Sequence, residues 1–95
     1  MDLDDWRKKI DAFNEQILKL LNERAACALE VGEIKRAKGL PLYAPERETI
    51  ILKRIKELNR GPLSDEAAQR IFRQIIDESL RLEQDHSEQE GSRGP

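Results

Sequence analysis

The feature that most constrains this 95-residue chain is a long apolar repeat that begins at Leu3. Its members lie alternately three and four residues apart, with one place skipped: Leu3, Trp6, Ile10, Phe13, Ile17, Leu20, Cys27, Val31 and Ile34. Such steps place side chains along one side of an α-helix. No proline interrupts the run before Gly39-Leu40-Pro41, a helix-stop signal. The repeat therefore predicts a helix over about residues 4 to 38, roughly 50 Å long at ~1.5 Å per residue.

Two shorter helices are predicted after the first. Pro45 suits the first position of a helix, where a backbone N–H has no partner, and the second helix then runs to about Asn59. Ser64 is a favourable N-cap for a third helix because its hydroxyl can accept from a first-turn N–H. The apolar spacing of this third helix fades past His86.

The fold class that these elements predict is all-α, with three helices of which one is very long. The second helix covers less than half of the first, so part of the apolar stripe would remain in water unless another chain covered it. A homodimer that pairs the long helices is the simplest solution, and a long exposed helix stabilised by charged pairs is the alternative. We expect residues 1–86 to form one domain and residues 87–95, which lack apolar side chains, to be a disordered tail or linker stub.

Charge and composition exclude several classes of partner. Seventeen Lys and Arg against nineteen Asp and Glu give a net charge of -2 with no basic block, so neither a nucleic-acid nor a membrane partner is indicated. One cysteine, Cys27, cannot form an intrachain disulfide, and with a single histidine, His86, the chain has no Cys/His metal set. The start of the chain lacks a basic and apolar leader, so we expect a cytoplasmic protein. The missing Cys/His set predicts that it holds no zinc. Cys27 is expected to pack in the core and His86 to be solvated at a helix end.

Charged residues stand where the helical period calls for apolar ones. The place skipped in the first helix is Arg24, four residues after Leu20. Lys35 follows eleven residues later, about 20° round the helix, with small residues between them. Their Cα atoms would lie ~16 Å apart, so two long side chains that lean towards each other can contact one small anion.

The other two helices repeat this oddity. Arg47 and Glu48 lie four residues before apolar positions of the second helix, and on the third helix Ser79 and Glu83 lie four apart on the apolar side. Buried charges are unfavourable unless they are paired or meet a ligand. One interpretation is a buried ion network, for instance Arg24 with Glu48 and Lys35 with Glu83. The other is a site for an anion, which the excess of three cations over two acids favours.

Several separated stretches resemble, in order and spacing, the all-helical AroQ class of chorismate mutases. The match covers about residues 3 to 84. It rests on Trp6-Arg7-Lys8-Lys9-Ile10-Asp11, Leu20-Leu21-Asn22-Glu23-Arg24, Val31-Gly32-Glu33-Ile34-Lys35, Pro45-Glu46-Arg47-Glu48 and Ile71-Phe72-Arg73-Gln74-Ile75-Ile76-Asp77-Glu78-Ser79. The resemblance implies an interlocked homodimer that converts chorismate to prephenate, the branch step towards phenylalanine and tyrosine. It implies no cofactor.

The resemblance also implies roles for the charged residues nearest the reacting bond. Arg7 and Arg24 are similar to the arginines that grip the two substrate carboxylates. Arg7 would come from the partner subunit, because seventeen residues of helix separate it from Arg24 by ~25 Å. Lys35 is similar to the cation that meets a carboxylate and the ether oxygen. Glu83 stands where some relatives place Gln and others Glu to donate to that oxygen, which requires its protonated form.

Four further positions complete the implied site. Arg47 is similar to the second-helix arginine of the pocket, Glu48 to the acceptor for the ring hydroxyl, and Ser79 to a polar contact with a carboxylate. Ala44 replaces the Asp of many relatives, so the contact there depends on the backbone N–H. Two alternatives to the mutase stay open from the sequence. They are an isochorismate-pyruvate lyase on the same scaffold and a non-catalytic helical dimerisation or regulatory module.

Overall fold

A computed structural model describes residues 1–92, and within them the chain forms three α-helices and no strand. Helix α1 spans Leu3–Ala37, α2 spans Pro45–Leu58 and α3 spans Asp65–Ser92. The all-α fold and its very long first helix are therefore confirmed. Helix α3 continues past His86, where the sequence analysis ended the domain, and the rest of the expected tail, 93–95, lies outside the described residues.

Both ends of α1 carry local stabilising structure. At the start, the Asp5 N–H donates to Asp2 Oδ1 over 2.9 Å, and the Asp2 N–H donates in return to the Asp5 carboxylate. This reciprocal capping satisfies donors that have no partner inside the helix. At the end, Gly39 adopts a φ of 67°, and the Leu40 N–H donates to the Lys35 carbonyl oxygen over 2.8 Å. A residue with a side chain is strained in that left-handed conformation, so glycine fits the stop.

The starts of α2 and α3 differ in their caps. Ala44 precedes α2 and provides no side-chain cap. Ser64 precedes α3, and its hydroxyl accepts from the Ala67 N–H over 3.0 Å, as predicted for an N-cap. Between the two helices, the Asn59 amide donates to the Leu63 carbonyl and to Asp65 over 2.9 and 2.8 Å, which fixes the turn.

Helix α3 packs against both α1 and α2, whereas no Cα of α1 lies within 8 Å of α2. The described chain measures 60 × 27 × 14 Å along its principal axes. Its smallest extent is only slightly larger than one helix, about 10–12 Å across with side chains. The radius of gyration is 16.9 Å, against about 12 Å for a compact domain of this length. The three helices thus form a single thin layer rather than a closed bundle.

A single layer leaves little enclosed core. Ala68 is the one buried apolar residue among the described side chains, and every residue from 1 to 20 is exposed. Trp6 and Phe13 retain 52% and 53% of their surface in water. None of the three helices, as far as they are described, is long and apolar enough to cross a membrane.

Candidate active site

A cavity of about 300 Å³ lies where the second half of α1 meets α2, α3 and the loop before α2. It brings together all but one of the site residues predicted from the sequence. Its polar lining consists of Arg24, Lys35, Arg47, Glu48, Ser79 and Glu83. Its remaining walls are Cys27, Ala28, Val31, Leu42, Tyr43, Ala44, Ile51, Ile76 and Leu80. Three cations and two carboxyls therefore face one partly apolar cavity.

Arg24 is held by a side chain of α3. Its Nη1 donates to the Ser79 hydroxyl over 2.8 Å, across 55 residues of sequence. No Arg24–Glu48 ion pair within 4 Å forms among the described residues. The first half of the predicted ion network is therefore absent there, and Arg24 keeps its positive charge uncompensated by direct contact with a carboxylate.

Lys35 is held by the loop before α2 rather than by an acid. Its Nζ donates to the Leu42 carbonyl over 2.9 Å. The expected Lys35–Glu83 pair also lies beyond 4 Å in the part of the chain that the structure describes. An ammonium group has three donors, so two remain for another acceptor. Both ion pairs of the network interpretation are thus missing among the described residues.

Glu83 is the most buried charged residue among the described side chains, with 9% of its surface exposed. It lies against α1 at Gly32, where an added Cβ would come within 3.2 Å of the Glu83 Cγ. Burial raises the pKa of the Glu83 carboxyl above its ordinary value, whereas the positive charges of Lys35 and Arg24 lower it and limit that rise. The cavity therefore contains a carboxyl that takes up a proton more readily than an exposed glutamate does.

The start of α2 supplies the last polar groups. Glu48 is half-buried and Arg47 is exposed, and both side chains line the cavity. The Ala44 carbonyl accepts from the backbone N–H groups of these two residues over 3.1 and 3.2 Å. The Ala44 N–H has no hydrogen-bond partner within residues 1–92. A backbone donor is thus available at the position where a side-chain carboxylate is missing.

Arg7 is the predicted site residue that the chain does not bring to the cavity. It lies in the exposed first half of α1 and is absent from the lining. The ~25 Å of helix between Arg7 and Arg24 exceeds the reach of any side chain.

Some contacts at the site were not predicted. Leu42 and Tyr43 form the loop wall, where no helical period exists to reveal them. Cys27 was expected in the core, but it is exposed and lines the cavity. The expectation for His86 was wrong: it is half-buried, and its Nε2 lies 2.7 Å from Glu33 Oε1. The signal was its position three residues after Glu83, on the same side of α3.

The fold and the site together define an all-helical domain with a cavity in which three cationic side chains face two carboxyls. The family model for chorismate mutase type II matches residues 6–84. The chain therefore belongs to the chorismate mutase type II family.

Relatives and solved structures agree with this assignment. A chorismate mutase of Methanocaldococcus jannaschii is 39% identical, and the match covers 92% of this chain and 89% of that protein. A bifunctional chorismate mutase/prephenate dehydratase of Stutzerimonas stutzeri is 47% identical over 82% of this chain but only 23% of its own length. The chain thus spans about a quarter of the length of such bifunctional relatives.

Two solved structures share the fold. A chorismate mutase from Thermus thermophilus superposes with a TM-score of 0.85 at 38% identity, over 86% of this chain and 93% of that one. A Helicobacter pylori chorismate mutase in complex with prephenate superposes with a TM-score of 0.80 at 29% identity, over 87% and 90%.

Proposed function

We propose that this chain catalyses the rearrangement of chorismate to prephenate. The observation that carries the proposal is the convergence of Arg24, Lys35 and the buried Glu83 on one cavity in a chain of this family. The reaction is a one-step [3,3] rearrangement in which the ether C–O bond breaks as a C–C bond forms. A protein accelerates such a step by holding the folded substrate and by stabilising the charge that develops.

The substrate carboxylates would be held by arginines. Arg24 presents its guanidinium to the cavity while Ser79 holds one of its nitrogens in place. A guanidinium has further N–H donors in a planar fork that suits a carboxylate. Ser79, which the resemblance made a direct substrate contact, is in this arrangement first of all a support for Arg24.

The ether oxygen would lie between Lys35 and Glu83. Partial negative charge grows on this oxygen as the C–O bond breaks, so donors aimed at it stabilise the transition state more than the substrate. Lys35 can keep its bond to Leu42 and still donate, because two of its three donors remain. Glu83 donates only when protonated, and its raised pKa favours that form.

The start of α2 would bind the ring end of the substrate. Glu48 would accept from the ring hydroxyl, and Arg47 would add positive charge at the mouth. The unpaired Ala44 N–H would donate to the oxygen of the same hydroxyl.

The working unit would be a homodimer whose partner subunit contributes Arg7. Two observations support this: the apolar side chains of residues 3–20 stand in water, and Arg7 is too far along α1 to reach the cavity of its own chain. An antiparallel partner helix would cover the exposed apolar side chains and would bring its own Arg7 to the cavity. Residues 1–86 would suffice for this unit, since the cavity lining falls between residues 24 and 83. The unpaired Cys27 suits the reducing cytoplasm, the proposed location.

The test is to follow the loss of chorismate absorbance with the purified chain and to identify the product, with isochorismate as a second substrate. We expect the wild type to convert chorismate to prephenate and the Lys35→Ala variant to retain only a small residual rate. The exposed Arg81→Ala variant should match the wild type. Release of pyruvate from isochorismate at a comparable rate would favour the lyase. No turnover, together with no binding of a bicyclic transition-state mimic, would indicate a non-catalytic module.

A further inference from the structure

The position of the Glu83 side chain depends on the close approach of α1 and α3. Gly32 is the buried residue of α1, and an added Cβ there would lie 3.2 Å from the Cγ and 3.4 Å from the Cβ of Glu83. A change of a few tenths of an ångström in the spacing of α1 and α3 would therefore move the Glu83 side chain.

Two side-chain hydrogen bonds between α1 and α3 flank this approach. On one side, four residues before Glu83, Ser79 accepts from Arg24 over 2.8 Å. On the other, three residues after Glu83, His86 meets Glu33, the residue that follows Gly32, over 2.7 Å. With the Glu33 carboxylate as the acceptor, His86 Nε2 is the donor in this bond. The buried carboxyl thus lies between two cross-links, each about one helical turn away.

We propose that the Glu33–His86 pair holds the Glu83 side chain against Gly32 and that Glu33 and His86 are positioning residues for the reaction. The pair lies outside the cavity lining, so it acts through Glu83 and not on the substrate. This inference rests on the proposed function for its catalytic consequence, whereas the placement of Glu83 is a property of the folded chain alone.

The charges around the pair determine how the proposal must be tested. Arg36 Nη2 lies 3.4 Å from the other oxygen of Glu33, and Lys35 and Arg24 act on Glu83. A charged residue in place of His86 would therefore change the field at Glu83 as well as the hydrogen bond. A comparison of His86→Gln with His86→Leu avoids this, because both side chains are neutral and only the glutamine can donate to Glu33.

The first measurement is kcat and KM for the wild type, the two His86 variants and Arg81→Leu. Arg81 forms a similar 2.9 Å bond to Glu78, but on the exposed surface of the same helix. We expect His86→Leu to lower kcat about two- to tenfold relative to His86→Gln, the range for one lost hydrogen bond. KM should change less, and Arg81→Leu should match the wild type. Equal kcat for the two His86 variants would overturn the proposal.

The second measurement does not require turnover. A carbon-13 NMR titration of the Glu83 carboxyl should give a lower pKa in His86→Leu than in His86→Gln, because a displaced carboxyl is better solvated. A merely structural bond would lower the melting temperature and leave this pKa unchanged, and a fall in kcat without a change in pKa would also contradict the proposal. If His86→Leu fails to fold, Glu33→Leu against Glu33→Gln removes the same bond from α1.

The two proposals fail in different ways. If the wild type shows no turnover but the Glu83 pKa differs between the two His86 variants, the mutase proposal is refuted and the positioning of Glu83 by the Glu33–His86 pair is supported. An active wild-type chain with identical His86 variants would do the reverse.

Discussion

The two halves of α1 have the same apolar spacing but different surroundings. From Leu3 to Leu20 every residue is exposed, and Trp6 is covered on one side only by the ammonium group of Lys9, 5.5 Å from its ring. From Arg24 to Lys35 the helix packs against α3 and lines the cavity. A repeat thus predicts which side of a helix is to be buried, but not which chain buries it. The first half is where the proposed second chain would pack.

The largest effect is expected from a charge in the first half. Phe13→Glu would place a carboxylate in the proposed dimer interface and cost about 3 kcal/mol or more per chain. We expect sedimentation velocity to show loss of the dimer and circular dichroism to show loss of helix. Leu40→Glu is the control, because Leu40 is equally exposed at 53% but lies outside the helices. If Phe13→Glu is no worse than this control, the first half has no partner.

The next largest effect belongs to the second half. Lys35→Ala should lower kcat by ~10²-fold or more, since it removes a donor whose partner becomes charged only in the transition state. Ser79→Ala should lower kcat far less, because Arg24 retains its charge when its support is lost. Steady-state kinetics on both variants, with folding checked by circular dichroism, tests the order. Similar small losses would contradict the role given to Lys35.

A subunit-mixing experiment tests whether the first half of α1 from one chain and the second half from its partner form one site. Arg7→Ala and Arg24→Ala should each be nearly inactive, but a heterodimer of the two contains one site with both arginines. Random exchange should therefore restore about a quarter of the wild-type sites. Activity is measured before and after exchange, and exchange is verified with two differently tagged chains. Exchange without recovery would mean that the two arginines do not serve one site.

The smallest effect is expected in the pH dependence of kcat, which depends on Glu83, the residue of α3 that packs against the second half of α1. Glu83 has a raised pKa, and in the proposed mechanism it donates in its protonated form, so kcat should fall as pH rises through the Glu83 pKa in the bound complex. Glu83→Gln donates at every pH and should keep its activity to higher pH. Profiles of kcat and kcat/KM against pH for both proteins test this. Parallel profiles would leave Lys35 as the donor to the ether oxygen.

Local signals predicted the helices well because stops and caps act within a few residues. Gly39, Pro45 and Ser64 placed the boundaries of the helices to within about two residues. The end of α3 was predicted too early, since the residues after His86 are rich in Glu and Gln, which sustain a helix without an apolar face.

The site was predicted as a set of residues but not as a set of bonds. Polar residues that interrupt an apolar face identified Arg24, Lys35 and Glu83, because periodicity reports which side of a helix a residue occupies. It does not report rotamers. Arg24 and Lys35 therefore bond to the Ser79 hydroxyl and a loop carbonyl, and not to Glu48 and Glu83 as in the ion-network interpretation.

The hydrogen bond between Ser79 and Arg24 determines at which step the arginine side chain loses its conformational entropy. A free arginine side chain samples many rotamers, and fixing it costs up to about 2 kcal/mol of conformational entropy. Here the Ser79 hydroxyl fixes the guanidinium as the chain folds. That loss therefore belongs to folding. In the proposed complex, a substrate carboxylate would meet a group that is already ordered, so more of its interaction energy would appear as affinity.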